Sequence, residues 1–349
     1  MEIMSRLTPR TQTPARRRLR SVVALAAVAT FALAACSSDD TSTPAGDEGP
    51  EGQSTAEGMT LMGQWPLTGL PAEGPAPKHP VMVVKIDNSS SSSPQIGLSK
   101  ADLVTEELVE GGMTRLAVFY YSQTPRQVGP VRSMRATDIG IVQPAGAALV
   151  ASGGAPPTVR RVADAGIDTF TEGARGYVRD SGRMAPYNLM MNLPTLARSL
   201  ESPQPPQNYL PWGDKADFPK GQKATSVAAT FSGGHTTNWR YQRGGYENLN
   251  SYAAAGDHFT PDTLLVLRVQ VGDAGYRDPA GNPVPETKFT GKGSAMVFHQ
   301  GRMVRATWEK AGLDARLTLS TKSGELSLPP GKVWMELVPA NGGNVTVGK

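Results

Sequence analysis

The sequence predicts an α+β protein, α/β in its first half: an N-terminal α/β domain with a mixed sheet over residues 65–200, followed by a smaller, mostly-β domain over 224–345. Three observations predict it. Between residues 81 and 165, short β-branched runs alternate with stretches that carry helix start and stop signals. After residue 224 the signals are all strand and turn. Between the two parts lies a proline-rich segment, 201–223, which reads as a linker anchored by Tyr209 and Trp212.

At 349 residues the chain is long enough for two domains with cores of their own. Residues 1–35 read as a targeting segment ahead of them. A basic stretch to Arg20 precedes an apolar run over 21–35 (SVVALAAVATFALAA), too short to span a bilayer and suited to a secretory h-region. The run closes on Leu33-Ala34-Ala35-Cys36 and is followed by Ser37, the pattern of a bacterial lipobox. Cys36 would then become the acylated, palmitate-bearing first residue of a signal-peptide-cleaved lipoprotein held at the cell membrane. Arg16-Arg17-Arg18-Leu19 also suits twin-arginine export, so the export route stays open. Because Cys36 is the only cysteine, thiol nucleophiles, disulfides and cysteine metal ligands are excluded.

The same segment accounts for the basic charge. It holds Arg6, Arg10, Arg16, Arg17, Arg18 and Arg20 against Glu2, so 35 basic and 31 acidic residues become 29 and 30 without it. The remainder is near neutral at −1 and lacks the footprint of a nucleic-acid binder. Residues 36–64 follow as a disordered acidic tether, with six carboxylates, no base and little to bury. As a coil it spans about 30 Å.

The first folded element is a strand over 81–86 (VMVVKI), and the serine run to Pro94 is a loop. Residues 99–102 (SKAD) resemble a capping box and open a helix that Gly111-Gly112 ends. Residues 116–121 (LAVFYY) and 147–152 (AALVAS) are strands. Between them the spacing predicts a helix over 133–142 with Ser133 as its N-cap. A helix over 156–165 has proline in its first turn and Gly166 after its end, and a short helix covers 193–200. Strands are predicted over 263–271, 294–299, 303–308, 315–320 and 333–338, and no internal repeat is present.

Two constellations could carry chemistry. On the helix predicted after residue 99, Asp102, Glu106 and Glu110 fall along one edge at i, i+4 and i+8, a repulsive spacing that calls for cations nearby. Arg115, Arg132 and Arg135 are the suppliers, whether as an internal ion-pair network or as part of a ligand site. The second is GPVRSMRATD (129–138), which sets two arginines around a predicted helix start, the end that repels cations. An anion there would account for both: an internal carboxylate such as Glu106 or Glu110, or a carboxylate or phosphate of a partner. Arg175, Tyr177, Arg179, Arg183, Tyr187 and Asn188 form a glycine-interrupted loop able to close over such a group. Asp87-Asn88 and Ser152-Gly153-Gly154 leave strands at the end where open α/β sheets bind ligands.

Other chemistry is less well supplied. Neither a nucleophile elbow nor an S-x-x-K set is present, and Ser133 as a cap is no nucleophile. His79, His235, His258 and His299 are scattered, so no metal site is expected. Trp239, Trp308 and Trp334 sit in strand patterns as core residues.

The motifs PLTGLP (66–71), VVKIDN (83–88), SKADLVTEELVEGGMTRLAVFYY (99–121), VGPVRSMR (128–135) and RMAPYNL (183–189) resemble the YerB-like bacterial lipoproteins, built on domain of unknown function 3048. The resemblance extends over about 65–340 through GKGSAMVFHQG (291–301) and LPPGKVWMELVP (328–339). It implies a two-domain lipoprotein on the extracytoplasmic face of the bacterial membrane and supplies no reaction. Family members often carry histidine where this chain has Tyr187.

The residues together point to a lipid-anchored, non-enzymatic binding module with no cofactor and no nucleic acid. Its partner would be an anionic cell-wall polymer or a wall-synthesis protein, met by Arg115, Arg132, Arg135, Arg179, Arg183, Asp87, Asn88, Glu106 and Glu110. The alternatives are a wall-active hydrolase or transferase using Asp87, Glu106 and Glu110 as paired carboxylates, and a structural scaffold.

Overall fold

The computed structural model describes residues 55–56, 59–60, 63–202 and 204–349. The signal segment, the lipidation residue Cys36 and most of the tether lie outside the described residues. Residues Pro50–Lys349 form one compact unit. A short antiparallel pair, Thr55–Ala56 with Met59–Thr60, falls within the stretch read as a tether.

Strand outweighs helix, 42% to 12%, so the α+β expectation holds only in outline. In chain order the strands are β1 (Met82–Asn88), β2 (Leu103–Leu108), β3 (Thr114–Tyr120), β4 (Ala148–Val150), β5 (Thr169–Phe170), β6 (Tyr177–Arg179) and β7 (Leu189–Met191). The helices are α1 (Asp138–Val142), α2 (Pro156–Asp164) and α3 (Leu193–Ala197). There follow β8 (Ser226–Ser232), β9 (His235–Gln242), β10 (Gly245–Asn248), β11 (Thr263–Arg277), β12 (Pro283–Lys288) and β13 (Gly291–His299). The last are β14 (Arg302–Lys310), β15 (Thr318–Thr321), β16 (Gly324–Glu325), β17 (Val333–Pro339) and β18 (Asn344–Gly348).

The two parts of the chain share one mixed sheet of 13 strands, whose main path runs β16-β15-β14-β13-β11-β17-β2-β3-β1-β4-β5, with β12 off the path on β11 and a two-residue strand, Gln222–Lys223, on β14. Strand β17, from near the C-terminus, is inserted parallel between β11 and β2 and joins the halves. A four-stranded antiparallel sheet, β10-β9-β8-β18, lies over one face. On that face Val84, Ile86, Val104, Leu116, Trp334 and Val338 pack with Val227, Phe231 and Trp239 from the small sheet and Leu193 and Leu196 from α3. On the opposite face Val83, Leu103, Phe119, Met335 and Leu337 pack with Ile139, Ile141 and Val162 from α1 and α2. Trp239, Trp308 and Trp334 are core residues, as their strand patterns suggest.

Two expected helices are corrected. Residues 103–108 (LVTEEL) are the strand β2, preceded only by a 3₁₀ turn at Leu98–Lys100. The acid spacing of four is therefore not a helix edge, and Glu106 and Glu107 point to opposite faces of the sheet. A strand buried on both faces usually reads as a hydrophobic run. Here tertiary partners neutralise the carboxylates, which local spacing does not reveal. The helix expected from Ser133 begins only at Asp138, where the Asp138 carboxylate accepts the Arg135 N–H at 2.7 Å. Ser133 is no cap, and the arginines around it do not flank a helix start.

Candidate functional site

Strands β1, β2 and β4 run the same way, and their C-terminal ends meet the start of β3. Strand β4 pairs with only the first half of β1, and the segment at residues 130–132 takes over the second half. There Asp87 N–H donates to Pro130 O at 3.1 Å and Arg132 N–H to Lys85 O at 2.9 Å. Beyond β4, Ser152 N–H donates to Arg132 O at 2.9 Å, and the Ser133 and Ser152 hydroxyl oxygens lie 3.4 Å apart. This change of partner along β1 brings Asp87, Arg132, Ser133 and Ser152 to one rim. Gly129 lets the chain approach: its φ is +148°, and a Cβ would stand 2.9 Å from Leu189 O.

On the helix-covered face, Asp87, Arg115 and Glu107 are side by side in register across β1, β3 and β2. Arg132 Nε lies 3.0 Å from Asp87 Oδ2, and its guanidinium carbon lies 5.0 Å from the centre of the Tyr187 ring. Arg135 grips Glu110 with Nε at 2.8 Å from Oε2 and Nη2 on Oε1. Burial works to raise the Glu110 carboxyl, but Arg135 outweighs it and holds the group below the usual range. Arg115 is only 7% exposed and donates from Nη1 to Ser133 O at 2.8 Å, while its Nε has no hydrogen-bond partner among the described residues. Burial first, then the neighbouring Arg135, pull its guanidinium down to about 10.

Just beneath the rim, Lys85 Nζ sits 2.5 Å from Glu107 Oε1 and 2.7 Å from Asp138 Oδ1, all three side chains fully buried. One cation serves two carboxylates. Burial drives the Glu107 carboxyl up to about 7, with Lys85 opposing and Asp138 assisting, and Glu107 Oε2 has no hydrogen-bond partner among the described residues.

The other face carries a second buried network. Glu106 accepts from Asn88 Nδ2 at 3.0 Å, Thr114 Oγ1 at 2.7 Å, Thr237 Oγ1 at 3.0 Å and His235 Nε2 at 2.8 Å. In register beside it on β17 stands Glu336, which accepts Trp239 Nε1 at 2.7 Å. Burial and the Glu106 carboxylate push Glu336 well above the carboxylate range. For Glu106 burial acts upward too, but His235, Thr114 and Glu336 outweigh it and hold the group low. The proton of the pair therefore resides on Glu336, which donates to Glu106. Both carboxyls are fully buried beneath the small sheet.

Of the residues singled out from the sequence, Asp87, Arg115, Arg132, Arg135 and Glu110 converge on the rim. Asn88 and Glu106 belong to the buried network on the opposite face. Arg183 joins the rim only through the backbone, donating to Pro94 O at 2.6 Å and pairing with Asp180. Arg179 is an exposed partner of Glu172 and Asn188. Asp102 stands apart, accepting Tyr121 N–H at 2.6 Å and Ser122 N–H at 3.0 Å. Sequence reasoning missed Lys85, Glu107, Asp138, His235 and Glu336. The available signal was charge inside β-branched runs: Lys in VVKIDN and Glu in VWMELVP are costly in a central strand unless partnered.

Residues 67–205 match the N-terminal domain, and residues 227–335 the C-terminal domain, of the family described as protein of unknown function DUF3048. The chain is 24% identical over 290 residues to the "Putative lipoprotein YerB" of Bacillus subtilis (strain 168), an alignment covering 78% of this chain and 86% of that protein. It is also similar to the crystal structure of YerB protein from Bacillus subtilis, with a TM-score of 0.68 at 21% identity over 81% of this chain and 99% of that one. That likeness carries the fold.

Proposed function

The chain belongs to the DUF3048 family, and from that premise we propose that it is a lipid-anchored envelope protein whose rim binds an anionic group of a cell-wall polymer without transforming it. The anchor is Cys36 in its lipobox, on the extracytoplasmic face, a reading supported by the lipoprotein name of the Bacillus subtilis relative. The observation that carries the binding is the arginine count at the rim. Arg115, Arg132 and Arg135 face two rim carboxylates, Asp87 and Glu110, and among the described residues Arg115 forms no ion pair. Arg132 keeps 23% of its side chain exposed, with Ser133 and Ser152 half-buried beside it. Guanidinium forks and hydroxyls at the C-terminal ends of parallel strands suit a phosphate or carboxylate.

One observation favours catalysis instead: Glu106 and Glu336 are adjacent carboxyls whose environments pull them apart, as acid–base pairs require. Against it, both are fully buried, and Glu110 is neutralised by arginine rather than poised as an acid. Mass spectrometry of muropeptides from purified walls, incubated with the full chain in neutral detergent, separates the readings. The binding reading expects an unchanged profile. New products that disappear with Arg132→Ala would make the protein a wall enzyme.

A further inference from the structure

The excess positive charge at the rim and the excess negative charge beneath it are neighbours. At the rim three guanidiniums meet two carboxylates, and below it Lys85 meets two, Glu107 and Asp138. Arg115, which forms no ion pair among the described residues, and Glu107, which shares Lys85 with Asp138, stand directly opposite in register on β3 and β2 and on the same face. Each keeps a buried atom without a hydrogen-bond partner among the described residues, Nε of Arg115 and Oε2 of Glu107. With every group ionised the eight charges cancel, so an arriving anion meets no net attraction. Protonation of Glu107 removes one negative charge and frees that of Arg115.

We propose that the rim binds its anion together with a proton taken up by Glu107, so that the site holds singly charged oxyanions, the phosphodiester class, more tightly as the surroundings acidify. The inference rests on the anion-binding reading above. The groups around Glu107 are compatible with this exchange. Lys85 faces it from β1, Arg115 from β3 and Asp138 from α1, while Arg135 and Glu110 pair just above. From β17 come the apolar Met335 and Leu337. On the β11–β12 hairpin, Glu286 is taken by Arg161 and Lys288, and the Tyr276 hydroxyl by Thr158 at 2.7 Å. Beyond Lys85 and Arg115, none of these brings Glu107 a further cation. The Glu107 carboxyl titrates at about 7, so the exchange operates near neutrality.

The test uses dimethyl phosphate, a phosphodiester that keeps its single charge from pH 6 to 8, titrated into the full chain in neutral detergent while the arginine Nε–H resonances are followed by NMR. For a single coupled proton titrating at about 7, affinity falls about tenfold from pH 6 to pH 8. Glu107→Gln, a neutral copy of the protonated acid, should bind at pH 8 as the unaltered chain does at pH 6. Should that variant fold poorly, calorimetry of the unaltered chain in two buffers of different ionisation enthalpy reads the proton directly, with about half a proton taken up per dimethyl phosphate bound at pH 7. Binding of equal strength at both pH values with no proton uptake would overturn the coupling and leave the anion-binding reading intact. No response of the arginine resonances at any pH would overturn both.

Discussion

Replacing Glu106 by alanine should lower folding stability by about 3–5 kcal/mol, read as a fall in the urea midpoint at unchanged slope. The carboxylate is fully buried and gathers donors from β1, β3 and β9. Its loss leaves Asn88, Thr114, His235 and Thr237 without their common acceptor, and the penalty is the desolvation of each. Glu336→Gln should behave in the opposite manner. Glu336 keeps its proton when folded, because burial and Glu106 push its carboxyl up, and loses it in the unfolded chain at the ordinary value of 4.5. The unfolded state therefore holds fewer protons, and stability falls as pH rises above 4.5 towards the folded value. Glutamine presents the same acceptor to Trp239 and a donor to Glu106 with nothing to ionise. The variant should gain on the unaltered chain between pH 5 and pH 8, and a constant difference would show that Glu336 is ionised in the fold.

Lys85→Met carries the second large effect. It leaves Glu107 and Asp138 facing each other with no exposed surface, and removing one partner of a buried ionic group costs about 3–5 kcal/mol. The loss should be larger at pH 8 than at pH 5. Glu107 already takes its proton at about 7 in the intact fold, and without Lys85, its main opposing influence, it takes it more readily still. Adding Glu107→Gln to Lys85→Met should restore part of the lost stability, because the second change removes the charge that the first strands. Additive losses in the double variant would show that Lys85 and Glu107 do not interact.

Both effects arise where the sequence was hardest to read. Strands β1, β3, β4 and β17 and helix α2 were visible because β-branched runs, a proline in the first turn and closing glycines act locally. The stretch LVTEEL was misread because acids at a spacing of four fit a helix edge as well as one face of a strand. What decides between them is distant in the chain: Lys85 and Asp138 below the sheet, His235 and Thr237 above it. Ser133 was misread for the same reason, since a cap is defined by the backbone that follows it. The rim itself was legible as a set of residues, Asp87, Glu110, Arg115, Arg132 and Arg135, but not the pairing of each arginine. Register across β1, β3 and β2 fixes that pairing, and register belongs to the sheet rather than to any one segment.

The insertion of β17 between β11 and β2 joins this chemistry to the rest of the fold. It places Glu336 beside Glu106 and covers the edge of β2, so the C-terminal part of the chain completes the buried network on the face opposite the rim. The β11–β12 hairpin then reaches α2 through Tyr276 and Glu286 and braces the helix beyond Ser152. The rim is thus held from both faces of one sheet, which supports the partly exposed Arg132.

The most direct measurement is co-sedimentation of the full chain, in neutral detergent, with purified cell walls, alongside walls stripped of their anionic polymers. The account predicts retention by intact walls, loss on stripped walls, and at least about a tenfold weakening with Arg132→Ala, the effect of losing one charge-assisted contact. Equal retention of the unaltered chain and the Arg132→Ala variant, or retention indifferent to stripping, would contradict it.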